Sequence, residues 1–320
     1  MTPNGGDFGS KGLVGAIDIG TNSVLLLVCE ASERGLGALL ERATITRLGE
    51  GVDRTRRLDP AAAARTLACL RDYAAELSAR GVARLGVVGT SALRDAEGGQ
   101  DFLSAAEAIL GSRPQVISGV TEAELTFEGA LSGLSLDGRV TVFDVGGGST
   151  EIIGGRAGSA LSVKSAVSLD IGSVRLFERH VRSDPPNTGE LMAAVADIER
   201  ALASAPAPDS DSTLVGVAGT VTTLAAISLG LEAYDGSRVH GHVLSRSELV
   251  RLADRLATLE LGARMELAGL EPKRADVIVL GAEIVRRVLL WSGAQRLVVS
   301  DRGVRWGVAQ RLATGRSLLP

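Results

Sequence analysis

Arg139-Val-Thr-Val-Phe-Asp144-Val-Gly-Gly-Gly-Ser-Thr-Glu151 is the stretch that decides the fold. Val140 to Val145, β-branched and aromatic, reads as a buried strand with Asp144 near its end. Gly146, Gly147 and Gly148 then permit a tight turn and let backbone N–H groups come close to an anion. Ser149 and Thr150 add hydroxyl donors and Glu151 a carboxylate, before Ile152 and Ile153 resume an apolar strand. The reading is strand, phosphate-cradling turn, strand, with one carboxylate on each side to hold a divalent metal or an attacking water. A glycine-rich hairpin with no ligand is the competing reading.

An internal echo decides between them. Asp18-Ile-Gly-Thr-Asn-Ser23 matches Asp144-Val-Gly-Gly-Gly-Ser149 at an offset of 126 residues (144 − 18). Gly89-Thr-Ser-Ala-Leu93 resembles Gly219-Thr-Val-Thr-Thr-Leu224 at an offset of 130 (219 − 89). Two matched pairs at nearly one offset predict a duplicated domain, with the two Asp-bearing hairpins facing each other across an interdomain cleft that holds the active site.

The 320 residues suit two domains, 12–130 and 131–320. With 45% hydrophobic and 22% charged residues the composition is that of a globular protein. Net charge is −4 and no dense Lys/Arg block is present, so a nucleic-acid partner is not expected and an anionic substrate must be held by local donors. Cys29 and Cys69 sit in apolar runs away from metal-site spacing and are read as small core residues in a reducing compartment. Met1 to Gly12 reads as a polar, glycine-rich leader, and no apolar run reaches the length of a membrane span. The expected location is the cytoplasm, with no membrane partner.

Hairpin strands are predicted at Val14–Ile19 and Val24–Glu30, a weaker strand near Leu39–Leu48, and a helix from Asp59-Pro60 to Ala79. Ala83–Val88 reads as a strand, Asp101–Leu110 as a helix, Gln115–Ser118 as a short strand and Thr121–Leu134 as a helix. After the central hairpin come a strand at Ala160–Ser165, helices at Gly172–His180 and Thr188–Ser204, and a loop to Ser212. Leu214–Ala218 is a strand feeding a helix at Thr220–Ser228, followed by helices at Ser245–Leu259 and Leu261–Leu267. One long helix from Pro272 to Trp291, a strand at Arg296–Ser300 and a helix from Arg302 close the chain. Alternation in both halves means α/β with mixed sheets flanked by helices, and a hairpin opening each half argues against a standard dinucleotide-binding fold.

Three anion-binding candidates fall at strand ends: Thr21–Ser23 (with Asn22), Thr90–Arg94 and Gly146–Ser149. Arg94 brings a fork of donors matched to phosphate oxygens. Glu122, in the first turn of its helix, is the candidate general base, set against ordinary helix-dipole complementarity; Glu124 and Glu128 follow on the same helix. Asp18 and Asp144 are the metal candidates, since Mg²⁺ takes one or two carboxylates and fills its shell with water and phosphate oxygens. His180, His240 and His242 make no convincing metal or nucleophile set, and no Gly-x-x-x-x-Gly-Lys-Ser/Thr loop occurs.

Taken together, Ala16–Ser23, Gly89–Arg94, Ile117-Ser-Gly119 with Glu122-Ala123, Asp144–Glu151, Gly219-Thr220, Arg274-Ala-Asp276 with Gly281-Ala282, and Ser300-Asp-Arg-Gly303 resemble the exopolyphosphatase/guanosine pentaphosphate phosphohydrolase family, a branch of the actin, sugar kinase and Hsp70 superfamily. The resemblance implies two actin-like (ribonuclease H-like) domains and release of orthophosphate from polyphosphate or, alternatively, from guanosine pentaphosphate. It puts Glu122 at the family's catalytic glutamate. Asn22, Ser23, Arg94 and Gly146 to Ser149 fall on phosphates, and Asp18, Asp144 and Glu151 on Mg²⁺ (Mn²⁺ as the other ion) or the attacking water. A homodimer is implied as well. Two departures stand out: the chain ends near residue 320 without the C-terminal helical domains of longer members, which predicts short-chain substrates, and Trp306 stands where the family usually has an acidic residue. A sugar or acyl-group kinase and a weakly active polyphosphate binder are the readings from other classes.

Overall fold

The computed structural model describes residues 12–32, 35–158, 161–209 and 211–318; the expected leader lies, but for Gly12, outside the described residues. In chain order the elements are β1 (Gly12–Ile19), β2 (Ser23–Ser32), β3 (Gly35–Ile45), α1 (Val52–Thr55), α2 (Pro60–Ala79), β4 (Arg84–Gly89), α3 (Ser91–Asp95), α4 (Gln100–Leu110), β5 (Gln115–Val116) and α5 (Gly119–Leu131). There follow β6 (Gly138–Val145), β7 (Thr150–Ala157), β8 (Ser162–Leu169), α6 (Ser173–His180), α7 (Thr188–Ala203), β9 (Thr213–Val217), α8 (Ala218–Ser228), α9 (Gly236–Val239), β10 (Val243–Ser245), α10 (Arg246–Thr258), α11 (Leu261–Met265), α12 (Ile278–Ser292), β11 (Arg296–Val299) and α13 (Val304–Ala313).

The chain divides into two compact units, one running to Gly129 and resuming at Val304, the other from Ala130 to Gly303. The sheet of the first has the order β3-β2-β1-β4-β5, and that of the second β10-β11-β9-β6-β7-β8. Written from β8 inward the second reads 8-7-6-9-11, the same path as 3-2-1-4-5, with β10 added at the far edge. In both, the first three strands are antiparallel and the next pair in parallel with the first. The duplication extends to register. Asp18 lies opposite Leu25 on β2 and Val88 on β4; Asp144 lies opposite Glu151 on β7 and Val217 on β9.

Both faces of the first sheet are covered, as a strand buried on both sides requires. Side chains alternate along β1 and β2. Ile17, Ile19, Leu26 and Val28 pack on α2 and α4 through Leu70, Tyr73, Phe102 and Leu103. Val14, Ala16, Leu27 and Cys29 pack on Leu125 of α5 and on Val304, Trp306, Val308 and Ala309 of α13. This corrects the expected domain boundary: the second domain is not 131–320, because α13 returns to cover the open face of the first sheet. Trp306, 2% exposed, is part of that core, which accounts for an aromatic side chain at this position. Cys29 and Cys69 are buried free thiols, and burial pushes the Cys69 thiol up.

Helix α13 lies so close to α5 that a Cβ on Gly307 would overlap the Leu125 carbonyl. One turn further, Arg311 bonds Glu124 and Glu128, so these two glutamates anchor a helix. Gly307→Ala is therefore expected to lower the urea midpoint by an amount equivalent to about 1–3 kcal/mol, the usual cost of overpacking; an unchanged midpoint would show that α13 can shift at no cost.

Helix α2 starts as expected, with Asp59 accepting from the Ala62 amide and Pro60 in the first turn. The expected strand at Ala160–Ser165 is found at Ser162–Leu169. The expected long helix at Pro272 is not continuous. Pro272–Arg274 form one 3-10 turn, the Asp276 carboxylate accepts from the Val277 amide, and α12 begins only at Ile278.

Candidate active site

In each unit the candidate residues gather where β1 or β6 ends in its turn, and the two turns are closed alike. The Gly20 amide donates to the Ser23 carbonyl at 3.0 Å, and the Gly146 amide to the Ser149 carbonyl at 3.0 Å. A segment from later in the chain ties each turn from behind. In the first unit the Gly49 amide binds the Thr21 carbonyl at 2.9 Å, and the Thr46 and Arg47 amides bind the Asn22 carbonyl at 3.1 and 3.0 Å. In the second, the Ser173 amide binds the Gly146 carbonyl at 3.0 Å, and the Val174 and Arg175 amides bind the Gly147 carbonyl at 2.9 and 3.0 Å. Each tie needs a glycine: a Cβ on Gly49 would strike Thr21, and one on Gly172 would strike the Gly147 carbonyl. Sequence reading missed both, since a glycine ahead of a helix carries no local sign of the distant turn it touches.

The units differ in their acids. Asp144 and Glu151, paired across the β6–β7 hairpin, project from the same face of the sheet, where paired Cβ atoms lie about 5 Å apart. Ser168, the next residue in that cross-strand row, donates to Glu151 Oε1 at 2.7 Å. Opposite Asp18 stands Leu25, so beside its turn the first hairpin has no second carboxylate facing Asp18. Among the described residues no group of three or more His, Cys, Asp or Glu could hold a metal. Two opposed carboxylates still fit Mg²⁺, whose remaining positions go to water and phosphate oxygens. Asn22 is 6% exposed, and its Oδ1 has no hydrogen-bond partner among the described residues.

Glu122 and Arg94 come together in the first unit. Ser118 caps α5, its Oγ accepting from the Thr121 amide at 3.1 Å, which places Glu122 in the first turn with 6% exposure. Arg94, on α3 just past β4, donates from Nη1 to Glu122 Oε2 at 2.9 Å and to the Ile117 carbonyl at 3.1 Å. The candidate phosphate clamp is thus also the partner that orients the candidate base.

The remaining motif fragments meet at the start of α8. A Cβ on Gly219 would overlap the Arg274 guanidinium, and one on Gly281 would lie 2.7 Å from the Thr220 side chain. Between Val217, paired with Asp144, and Gly219 stands Ala218, held at φ 70. A non-glycine residue in that region costs about 1–3 kcal/mol and tends to occur at functional sites. A Cβ on Gly303 would lie 3.9 Å from Asp144 Oδ2. His180 pairs with Asp197 at 2.8 Å, and His240 Nδ1 accepts from the Asp301 amide at 3.3 Å.

Fold and turns define a protein of two halves built on one mixed-sheet topology, each ending its first strand in an acid followed by a turn that opens on glycine. The sequence profile of the Ppx/GppA phosphatase family matches residues 27–314. Exopolyphosphatase 2 of Mycobacterium tuberculosis is 39% identical over 318 residues, covering 94% of this chain and 98% of that protein. The guanosine-5'-triphosphate,3'-diphosphate pyrophosphatase of Vibrio atlanticus is 30% identical over 308 residues, covering 95% of this chain and 60% of its own length. The crystal structure of the Aquifex aeolicus Ppx/GppA family member superposes with a TM-score of 0.80 at 32% identity, covering 96% of this chain and 100% of that one. The chain belongs to the Ppx/GppA phosphatase family. No helix among the described residues is long and apolar enough to cross a membrane.

Proposed function

We propose that the protein hydrolyses the terminal phosphoanhydride of inorganic polyphosphate, releasing orthophosphate. The observation that carries this is the hairpin at 144–151: a glycine turn tied from behind, flanked by two carboxylates on one face of the sheet. Phosphoryl transfer asks for positioning and charge neutralisation more than for covalent chemistry, and this hairpin provides for both. Backbone N–H groups of Gly147, Gly148 and Ser149 and the Ser149 hydroxyl hold the terminal phosphate, the Gly146 amide being taken by the Ser149 carbonyl; Asn22, Ser23 and Arg94 are the first unit's candidate phosphate contacts. Asp144 and Glu151 would hold Mg²⁺, with Asp18 as the first unit's own metal candidate; the ion, when bound, would offset phosphate charge. Glu122, oriented by Arg94, takes a proton from the attacking water. The water oxygen bonds to the terminal phosphorus, the bridging P–O bond breaks, and the shortened chain leaves with the bond's electron pair.

Polyphosphate leads because the relative named exopolyphosphatase 2 is the more similar of the two compared, at 39% against 30% identity. Guanosine pentaphosphate is the second reading, supported by the name of the Vibrio relative. Orthophosphate release from short polyphosphate, long polyphosphate and guanosine pentaphosphate, measured side by side with Mg²⁺, tests the assignment. Preference for a polyphosphate is expected; release mainly from the nucleotide would shift the function to the second reading. A homodimer belongs to the same proposal.

A further inference from the structure

Arg175 was not among the residues singled out from the sequence, and nothing in the proposed chemistry uses it. It lies in the first turn of α6, 7% exposed, and its Nε donates to the Gly148 carbonyl at 2.6 Å. With the Ser173, Val174 and Arg175 amides on the carbonyls of Gly146 and Gly147, all three glycine carbonyls are drawn toward the start of α6. The consequence follows from peptide geometry. Among the described residues the only cis bond is Asp184-Pro185, so the peptides of the turn are trans. In a trans peptide the C=O and the following N–H point in opposite directions. Carbonyls held toward α6 therefore turn the N–H groups of Gly147, Gly148 and Ser149 away from it.

The first two of these peptides are fixed by backbone donors, which any sequence could supply. The third, Gly148–Ser149, is fixed by the Arg175 side chain alone among the three ties. We infer that Arg175 is a positioning residue for phosphate binding: its guanidinium holds the Gly148–Ser149 peptide so that the Ser149 N–H faces the anion. A cationic donor on the carbonyl also polarises the peptide, which makes its N–H the better donor, since linked hydrogen bonds strengthen one another. Thr150 Oγ1, bonded to the Ile171 carbonyl at 2.6 Å, anchors the neighbouring residue to the same linker and keeps α6 in reach. That the anion is a phosphoanhydride rests on the function proposed above; that the turn presents the Ser149 N–H does not.

The test compares wild type with Arg175→Met and Arg175→Lys. It reads thermal unfolding, the kcat and KM for orthophosphate release from tripolyphosphate with Mg²⁺, and the backbone amide of Ser149 in ¹⁵N-serine-labelled protein titrated with tripolyphosphate. Losing a whole oxyanion donor costs about 10²–10³ in rate, so misaligning one is expected to lower kcat/KM about 10-fold in Arg175→Met. Lys, which can still donate to the same carbonyl, should restore most of that loss. The Ser149 amide should move downfield on titration of wild type, and less in Arg175→Met. A folded Arg175→Met with wild-type kcat/KM and amide response would overturn the inference. If that variant does not fold, the wild-type titration decides, and an unmoved Ser149 amide overturns it. An amide that moves in a wild type releasing no orthophosphate sinks the hydrolase assignment and leaves the role of Arg175 standing.

Discussion

Glu122→Gln is expected to lower kcat for orthophosphate release by about 10²–10⁴, the range a positioned general base contributes, while the unfolding temperature stays near that of wild type. The substitution keeps the side chain's shape and leaves an amide oxygen for Arg94, so the Arg94 contact at 2.9 Å can persist. What it removes is the proton acceptor. Glu124→Gln, on the same helix, is the control, because Glu124 bonds Arg311 at 3.2 Å and takes no part in the proposed chemistry. That variant should keep the rate within a few-fold and lose some stability. A Glu122→Gln enzyme with near wild-type kcat would remove the base from the mechanism, and equal losses in the two variants would make Glu122 a structural residue.

The second large effect is expected at Glu151. Partners one shell out from a metal are typically worth 10–100-fold in affinity, so replacing one of two opposed carboxylates should cost at least about 100-fold. Glu151→Gln should raise the Mg²⁺ concentration for half-maximal rate by that factor, with the rate partly recovered at high Mg²⁺. Ser168→Ala, which removes the 2.7 Å donor to Glu151, should raise it about 10-fold. Asp18→Asn should move it less than Glu151→Gln, since the residue opposite Asp18 is Leu25 and not a second carboxylate. An unchanged Mg²⁺ requirement in Glu151→Gln would exclude the 144–151 hairpin as the place where the ion is held.

Much of this was legible in the chain because the decisive features are local. A strand, an acid and a glycine turn lie within thirteen residues at 139–151, and the repeat near 18 shows that the pattern recurs. Glu122 was readable as a first-turn residue because Ser118 caps its helix within the same few positions. What the sequence hid is what depends on distant packing. Nothing around Val304 shows that α13 completes the first unit's core, since an apolar helix face looks the same whichever sheet it covers. Trp306 looked anomalous as a departure from the family pattern and is ordinary as a core side chain. Pro272 is a good helix start, yet the turn at Pro272–Arg274 ends at once and sets Arg274 against Gly219, a contact more than fifty residues away in sequence (274 − 219 = 55). Gly172 and Arg175 were likewise invisible, because the turn they hold is over twenty residues upstream (172 − 148 = 24).

Hydrolysis of tripolyphosphate in ¹⁸O-enriched water, with the released orthophosphate analysed by mass spectrometry, tests the central claim most directly. Water is the proposed acceptor of the terminal phosphoryl group, so one ¹⁸O should enter each orthophosphate released, in wild type and at a greatly reduced rate in Glu122→Gln. Orthophosphate without solvent label would contradict attack of water on the terminal phosphorus, and phosphate passed to an added sugar or nucleotide in its place would make the protein a phosphotransferase.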